Sequence, residues 1–157
     1  MWDDITDTLV AEFSDLPDVS QVTRIVLRLV IAAALGGLLG YERERQGKAA
    51  GVRTHMLVAL GAALFVLVPQ QAGVSSADMT RVIQGVVAGI GFLGAGAIIK
   101  GSAEESVKGL TTAAGIWLTA AIGIACGLGR ESTAVLSALL AFAILALVPH
   151  LTRFRDN

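Results

Sequence analysis

Five long apolar runs divide the chain, and they constrain its fold more than any other feature of the sequence. A helix needs roughly twenty apolar residues to cross the hydrocarbon core of a bilayer, which is about 30 Å thick. Two of the runs, 82–99 and 110–128, carry no charged residue, and the core of a soluble protein of 157 residues is too small to surround them. We therefore predict an all-α membrane protein, a bundle of about five transmembrane helices at 22–39, 54–68, 82–99, 110–128 and 133–148.

Basic residues between the spans predict the orientation of the bundle, because cytoplasmic loops of membrane proteins are rich in Lys and Arg. With five spans, eight basic residues fall on the side that holds the charged stretch 40–56, and four fall on the other side. This asymmetry predicts an N-terminus outside and a C-terminus in the cytoplasm. The predicted domains are an acidic extracytoplasmic tail, a transmembrane domain and a short cytoplasmic tail, at 1–21, 22–151 and 152–157.

The acidic tail has apolar residues at helical spacing, namely Ile5, Leu9, Phe13 and Leu16. This pattern is typical of an amphipathic helix. Such a helix either lies on the membrane surface or, because its polar face is acidic, caps the bundle. A solvated, frayed terminus is the alternative.

Glycines recur in three of the spans and predict close packing between helices. Small residues one turn apart allow two backbones to approach each other inside lipid. Gly89, Gly91 and Gly94 also match the spacing of a dinucleotide-binding loop, but the apolar run continues past them and no alternating strands follow, so we interpret them as packing residues. The predicted packing set is Gly36, Gly40, Gly85, Gly89, Gly91, Gly94, Gly96, Gly123 and Gly127.

A weak internal repeat relates the first and second halves of the chain. The segment GVRT at 51–54 aligns with GLTT at 109–112 at an offset of 58 residues, and neighbouring Leu-Gly and Ala-Ala pairs align at the same offset. The repeat predicts two hairpins of the same topology, related by an axis along the membrane normal, followed by a fifth helix. A shared bias toward Gly, Ala and Leu is the alternative explanation.

Several polar residues sit where topology alone does not explain them. Arg28 falls inside the first span, where a cation is costly and is expected to face the bundle or a wet cavity, unless it extends to the outer surface. Glu42 has the wrong sign for the positive-inside bias, so we expect it to pair with Arg53 across the loop, and Thr54 to cap the second span. The predicted polar functional site is Arg28, Glu42, Arg43, Arg53, Thr54, Thr111 and Thr112.

That site is expected to bring the starts of the second and fourth spans to one membrane face, where helix N-termini favour a bound anion or a partner carboxylate. The alternative is that the basic groups extend to lipid headgroups and that the threonine hydroxyls bond the backbone one turn back. His55 is interpreted as an interfacial anchor.

Sequence motifs for catalysis and for tightly held metals are missing. The chain lacks the paired histidines of zinc proteases and the nucleophile turn of serine hydrolases, and Cys126 is its single cysteine. We predict a protein that is not an enzyme, holds no metal or cofactor and binds no nucleic acid.

Three segments together resemble the membrane domain of the MgtC/SapB family: LRLVIAAALGGLLGYERERQGKAAGVRTHMLVALGAALF, RVIQGVVAGIGFLGAGAIIK and VKGLTTAAGIWLTAAIGIACGLG, which cover 27–129. The resemblance implies a bacterial inner-membrane protein linked to growth at low magnesium and to survival inside host cells. It also implies a regulator that binds another membrane complex such as the F-type ATP synthase, and a polar cleft between GLTTAA and GVRT. The expected partners are the lipid bilayer, that complex and a second copy in a homodimer. The alternative is a transporter or channel for magnesium or another small solute.

Overall fold

A computed structural model describes residues 1–12, 14, 18–98 and 108–153, with the backbone alone for 150–153. All secondary structure in these residues is helical, and five helices are long and apolar enough to cross a membrane. The predicted all-α, five-span bundle is therefore confirmed. The helices are α1 Trp2–Glu12, α2 Val19–Arg45, α3 Val52–Gln71, α4 Ser76–Ala97, α5 Leu110–Gly127 and α6 Glu131–Arg153.

The helices begin where the sequence offers a capping group. The Asp18 carboxylate accepts a hydrogen bond of 2.7 Å from the Gln21 N–H at the start of α2. The Ser75 hydroxyl accepts one of 3.2 Å from the Asp78 N–H at the start of α4. Both bonds satisfy a first-turn N–H that has no partner within its own helix. The helix α2 does not stop at the first charged residue but continues through Arg45, which carries the charged stretch into the bundle.

The core forms where α3 packs between α2 and α5. Small residues let the backbones meet, because a β-carbon placed on Gly123 or Gly127 would overlap the carbonyl oxygen of Ala59 or Ala63 on α3. On the other side of α3, a β-carbon on Gly36 would lie 2.5 Å from the His55 carbonyl oxygen, and one on Gly40 would lie 2.6 Å from the Cα of Val52. These four glycines pack helices together, as the sequence indicated.

The glycines of α4 behave differently. A β-carbon on Gly85, Gly89, Gly91 or Gly96 would meet no atom of the described residues within 4 Å. The prediction that they bring helices of this chain together is wrong, because α4 lies at the edge of the bundle and these four positions are exposed. Gly94 is buried, and a β-carbon placed on it would lie 3.7 Å from the β-carbon of Ala113 on α5, which is an ordinary contact distance.

The predicted repeat has a structural counterpart. Helices α3 and α5 both begin directly after a glycine, Gly51 and Gly109, at the offset of 58 residues. Gly36 of α2 contacts His55 of α3. The residues 58 positions later, Gly94 of α4 and Ala113 of α5, are in contact as well. The two hairpins α2–α3 and α4–α5 therefore repeat one packing contact.

Helix α1 contains no buried residue and contacts none of the other helices among the described residues. The acidic tail thus forms the predicted helix, but the expectation that it caps the bundle is wrong. Ile5 and Leu9 are exposed, so no apolar face is covered by the protein itself. Phe13 and Leu16 lie outside the described residues, as do 154–157 of the predicted C-terminal tail.

Candidate functional site

The last two turns of α2 carry charged side chains into the bundle. Gly36, Leu39, Gly40 and Arg43 are buried, and Gly36 is followed three and four residues later by Leu39 and Gly40, which are in turn followed four and three residues later by Arg43; this spacing places them on one face of the helix. That face packs against α3 and α5, so the helical period directs Arg43 inward. Arg43 is 2% exposed and Glu42 is 1% exposed.

A network of hydrogen bonds joins these side chains to two other helices. The Arg43 Nη2 donates to the Thr112 hydroxyl oxygen at 3.0 Å, and its Nη1 donates to the Gln46 Oε1 at 3.3 Å. The Gln46 Nε2 donates to the Glu42 Oε1 and to the Leu145 carbonyl oxygen, both at 2.8 Å. We call Glu42, Arg43, Gln46 and Thr112 the Arg43 cluster. It ties the end of α2 to the start of α5 and to α6.

Gln46 is the member that sequence reasoning missed. It follows Glu42 by four residues and Arg43 by three, so it lies on the same side of a helix that extends this far. That spacing is a usable signal, but only once α2 is known to run through Arg45.

A cavity of about 740 Å³ lies beside the Arg43 cluster. It is bounded by the end of α2 and the segment that follows it, by the start of α5 and by Pro149 of α6. Its lining combines three basic side chains with one acid and with the first turn of α5. The lining residues are Glu42, Arg43, Arg45, Gln46, Lys48, Gly109, Leu110, Thr111, Thr112 and Pro149.

The structure brings together four of the seven predicted site residues. Glu42, Arg43, Thr111 and Thr112 line the cavity, where the end of the first span meets the start of the fourth. Thr111 is exposed, whereas Thr112 is buried under Arg43.

Arg53 and Thr54 are exposed on α3 and do not line the cavity. The predicted pair between Glu42 and Arg53 is wrong, because α2 remains helical beyond Glu42 and turns that side chain inward. The Glu42 carboxylate lies instead 3.7 Å from the Arg45 Nε. The predicted Thr54 cap is wrong as well, because the helix begins at Val52 and Thr54 is already its third residue.

Glu44 supplies the carboxylate at the start of α3. Its Oε2 accepts a hydrogen bond of 2.9 Å from the Val52 N–H, which is the first N–H of the helix. A negative charge at this position stabilises a helix, since the N-terminus carries partial positive charge.

Arg28 belongs to a separate group at the opposite end of the bundle. Its Nη1 donates to the Gln70 Oε1 at 2.7 Å and to the Gly127 carbonyl oxygen at 3.0 Å, and its Nε lies 3.6 Å from a Glu131 carboxylate oxygen. We call Arg28, Gln70, Gly127 and Glu131 the Arg28 cluster. The prediction that Arg28 shares one polar site with Glu42 and Thr111 is therefore wrong.

The separation has a simple cause. Arg28 precedes Arg43 by fifteen residues on one continuous helix, a distance of about 22 Å at 1.5 Å per residue. Because α3 and α5 are shorter than α2, their ends lie level with Arg28 and supply its partners.

His55 is not the interfacial anchor that the sequence suggested. It is 0% exposed, and its Nδ1 lies 3.0 Å from the Gly51 carbonyl oxygen. Its Nε2 has no hydrogen-bond partner among the described residues and faces Gly115 of α5, 3.6 Å from where a β-carbon would stand. The ring thus packs between α3 and α5 beside Gly115, a contact that no sequence pattern marks.

Three comparisons with known proteins bear on this arrangement. A sequence model of the MgtC family matches residues 29–154. Protein SrpB of Synechococcus elongatus is 50% identical over 114 residues, which is 64% of this chain and 63% of that protein. Protein MgtC of Brucella abortus is 45% identical over 117 residues, 74% of this chain and 48% of that protein.

A third relative, from Escherichia coli K12, bears the name "Putative magnesium transporter YhiD" and is 40% identical over 134 residues, 81% of this chain and 61% of that protein. The matches thus cover between 48% and 63% of the three relatives' lengths. No solved structure matches the chain.

Proposed function

The chain belongs to the MgtC family, and we propose that it is a regulator that acts in magnesium limitation by binding another membrane complex. Its five apolar helices and its relatives make it a multi-pass, magnesium-related membrane protein. The proposed location is the bacterial inner membrane, and the proposed partner is a complex such as the F-type ATP synthase.

The proposed orientation places the Arg43 end in the cytoplasm. Arg45, Lys48 and Arg53 lie exposed at this end, beside Arg43. Basic residues concentrate on the cytoplasmic side of membrane proteins. The N-terminus is then outside, and the cavity beside the Arg43 cluster opens toward cytoplasmic partners.

One observation carries the choice of a regulator over a transporter. Between the Arg28 cluster and the Arg43 cluster, the bundle interior is mainly apolar, with Ala32, Ala59, Ala63, Ile122 and Cys126 in its core. Of the described residues, His55 and Thr119 are the buried polar side chains there. A solute crossing the membrane needs polar groups along its path, and magnesium in particular sheds its water reluctantly. The packed middle supports a protein that binds a partner at one membrane face and does not pass a solute through the bundle.

Transport is the second candidate, supported by the name given to the Escherichia coli relative. Uptake of magnesium into proteoliposomes that contain the purified protein separates the two functions. The regulator produces no saturable flux above that of protein-free liposomes, whereas saturable flux that the protein alone provides would establish the transporter.

Regulation is tested on the proposed partner directly. In inverted inner-membrane vesicles, we expect the wild-type protein to reduce proton pumping driven by ATP through the F-type ATP synthase. The Arg43→Gln variant, inserted to the same level, is expected to lose that effect. Equal pumping with wild-type protein and with empty membranes would refute this partner.

We also propose a homodimer that forms through α4. The helix exposes an apolar groove of about 590 Å³ shared with α3, and Gly61, Gly85 and Gly89 along it leave room for another backbone. In a Cys126→Ser background, Gly89→Cys is expected to form a disulfide between copies, whereas Leu140→Cys on the exposed face of α6 is not. Equal cross-linking at both positions would exclude this interface.

A further inference from the structure

Arg43 is a buried cation whose hydrogen bonds to the described residues go only to neutral acceptors, the Thr112 hydroxyl and the Gln46 amide oxygen. It forms no ion pair with a described residue, and its Nε has no hydrogen-bond partner there. The buried Glu42 carboxylate favours the charge of Arg43, but it is shared with Gln46 and with Arg45. A buried charge is costly unless a charge of opposite sign and further hydrogen bonds compensate it. The compensation for Arg43 is therefore incomplete within the described chain.

The charges that line the cavity beside Arg43 favour a ligand of negative charge. Of the described residues, its lining includes three bases, Arg43, Arg45 and Lys48, and a single acid, Glu42. Its volume of about 740 Å³ falls within the range of about 300–1,000 Å³ that is usual for small-molecule sites. An anion that enters this cavity meets an excess of positive charge.

The two equivalent helix starts differ in what they offer an anion. At α3, the Glu44 carboxylate already accepts the first N–H of the helix. At α5, the preceding residue is Gly109, and no side chain of the described residues caps the helix. The first turn of α5, Leu110 to Thr112, lines the cavity, so its N–H groups and the positive end of the helix dipole face the same space as Arg43.

We propose that this cavity binds a phosphate-bearing anion between the Arg43 guanidinium, the Lys48 ammonium and the first turn of α5. A phosphoryl group has several oxygens that can accept from a guanidinium and from backbone N–H groups at once, which a single carboxylate does less well. Soluble phosphates and phospholipid headgroups share this chemistry. The site does not depend on the proposed regulatory role.

The test uses the full chain in phosphatidylcholine nanodiscs, with inorganic phosphate as the probe. Phosphate is expected to bind by calorimetry and to raise the thermal unfolding midpoint, because a ligand of the folded state stabilises it. Lys48→Gln should weaken phosphate binding by about two- to fivefold, and Arg43→Gln by about tenfold or more. The matched control is Arg53→Gln, which removes one exposed basic side chain at the same end but outside the cavity.

A second arm identifies the source of the phosphate group. If free phosphate has no effect, but phosphatidylglycerol added to the nanodiscs raises the midpoint for the wild type and not for Arg43→Gln, the ligand is a headgroup. The proposal is overturned if neither form stabilises the protein, if chloride at equal ionic strength acts as phosphate does, or if Arg53→Gln weakens binding as much as Lys48→Gln. Should Arg43→Gln fail to fold, the comparison of Lys48→Gln with Arg53→Gln decides alone.

Discussion

The two ends of the bundle each draw an arginine of α2 inward, but they differ in how its charge is compensated. Arg28 has the Glu131 carboxylate within 3.6 Å and bonds the carbonyl at the end of α5, where the helix dipole is negative. Within the part of the chain that the structure describes, Arg43 donates hydrogen bonds only to neutral acceptors, and it lies beside a cavity. A compensated charge holds helices together, whereas an incompletely compensated one beside a cavity indicates a function.

The contact between α3 and α5 joins the two ends, and breaking it gives the largest expected effect. Gly123→Leu forces a side chain into the backbone of Ala59, which has no room to yield. We expect a loss of about 3 kcal/mol or more in the free energy of unfolding, at or above the usual cost of overpacking. Gly91→Leu is the control, because a β-carbon there meets no atom of the described residues within 4 Å. Thermal unfolding in detergent measures both, and equal losses would contradict this packing.

The next effect in size sharpens the comparison at the Arg28 end. Arg28→Ala leaves Glu131 without its ion pair and the Gln70 and Gly127 oxygens without their donor. Because hydrogen bonds to charged groups contribute about 1.5–3 kcal/mol, we expect a destabilisation of that order. Arg24→Ala, one turn earlier on the exposed face of α2, should change stability by about 0.5 kcal/mol or less. An Arg28→Ala variant as stable as Arg24→Ala would show that this cluster does not hold the helices.

The smallest effect concerns the start of α3, where the Glu44 carboxylate already accepts the first N–H of the helix. Glu44→Gln keeps an oxygen that can accept from the Val52 N–H but removes the negative charge. The expected loss is about 0.3–1 kcal/mol, and it should shrink at high salt because exposed charges are screened. Unfolding midpoints at low and high salt test this. A loss that does not respond to salt would assign the role of Glu44 to hydrogen bonding alone.

The sequence predicted the fold well because hydrophobicity and length determine which segments cross a membrane. It predicted the ends of α2 poorly, because the apolar run ends at Leu39 whereas the helix continues to Arg45. That extension is stabilised by contacts with other helices, such as the Arg43 bond to Thr112, which no local pattern reveals. For that reason the sequence predicted a pair between Glu42 and Arg53, and Gln46 was not included in the predicted site.

The candidate site was predicted in part for a related reason. Neighbours along the chain, Glu42 with Arg43 and Thr111 with Thr112, were grouped correctly, whereas Arg53 and Thr54, which the repeat relates to the threonines, lie outside the cavity. Arg28 was wrongly grouped with the polar residues of the other end, because its partners come from three other helices and depend on where those helices stop. Glycine spacing was equally ambiguous. Gly89 and Gly123 each have a second glycine four residues away, Gly85 and Gly127, and only the position of each helix in the bundle distinguishes an outward glycine from a packed one.

The central claim is that the Arg43 end carries the function and the Arg28 end carries stability. The most direct test is growth at low magnesium of a strain that depends on this protein, with Arg43→Gln and Arg28→Ala each produced to the wild-type level of folded, membrane-inserted protein. We predict that Arg43→Gln fails to support growth and that Arg28→Ala supports it. Normal growth with Arg43→Gln, or failure with Arg28→Ala at equal folded level, would contradict the account.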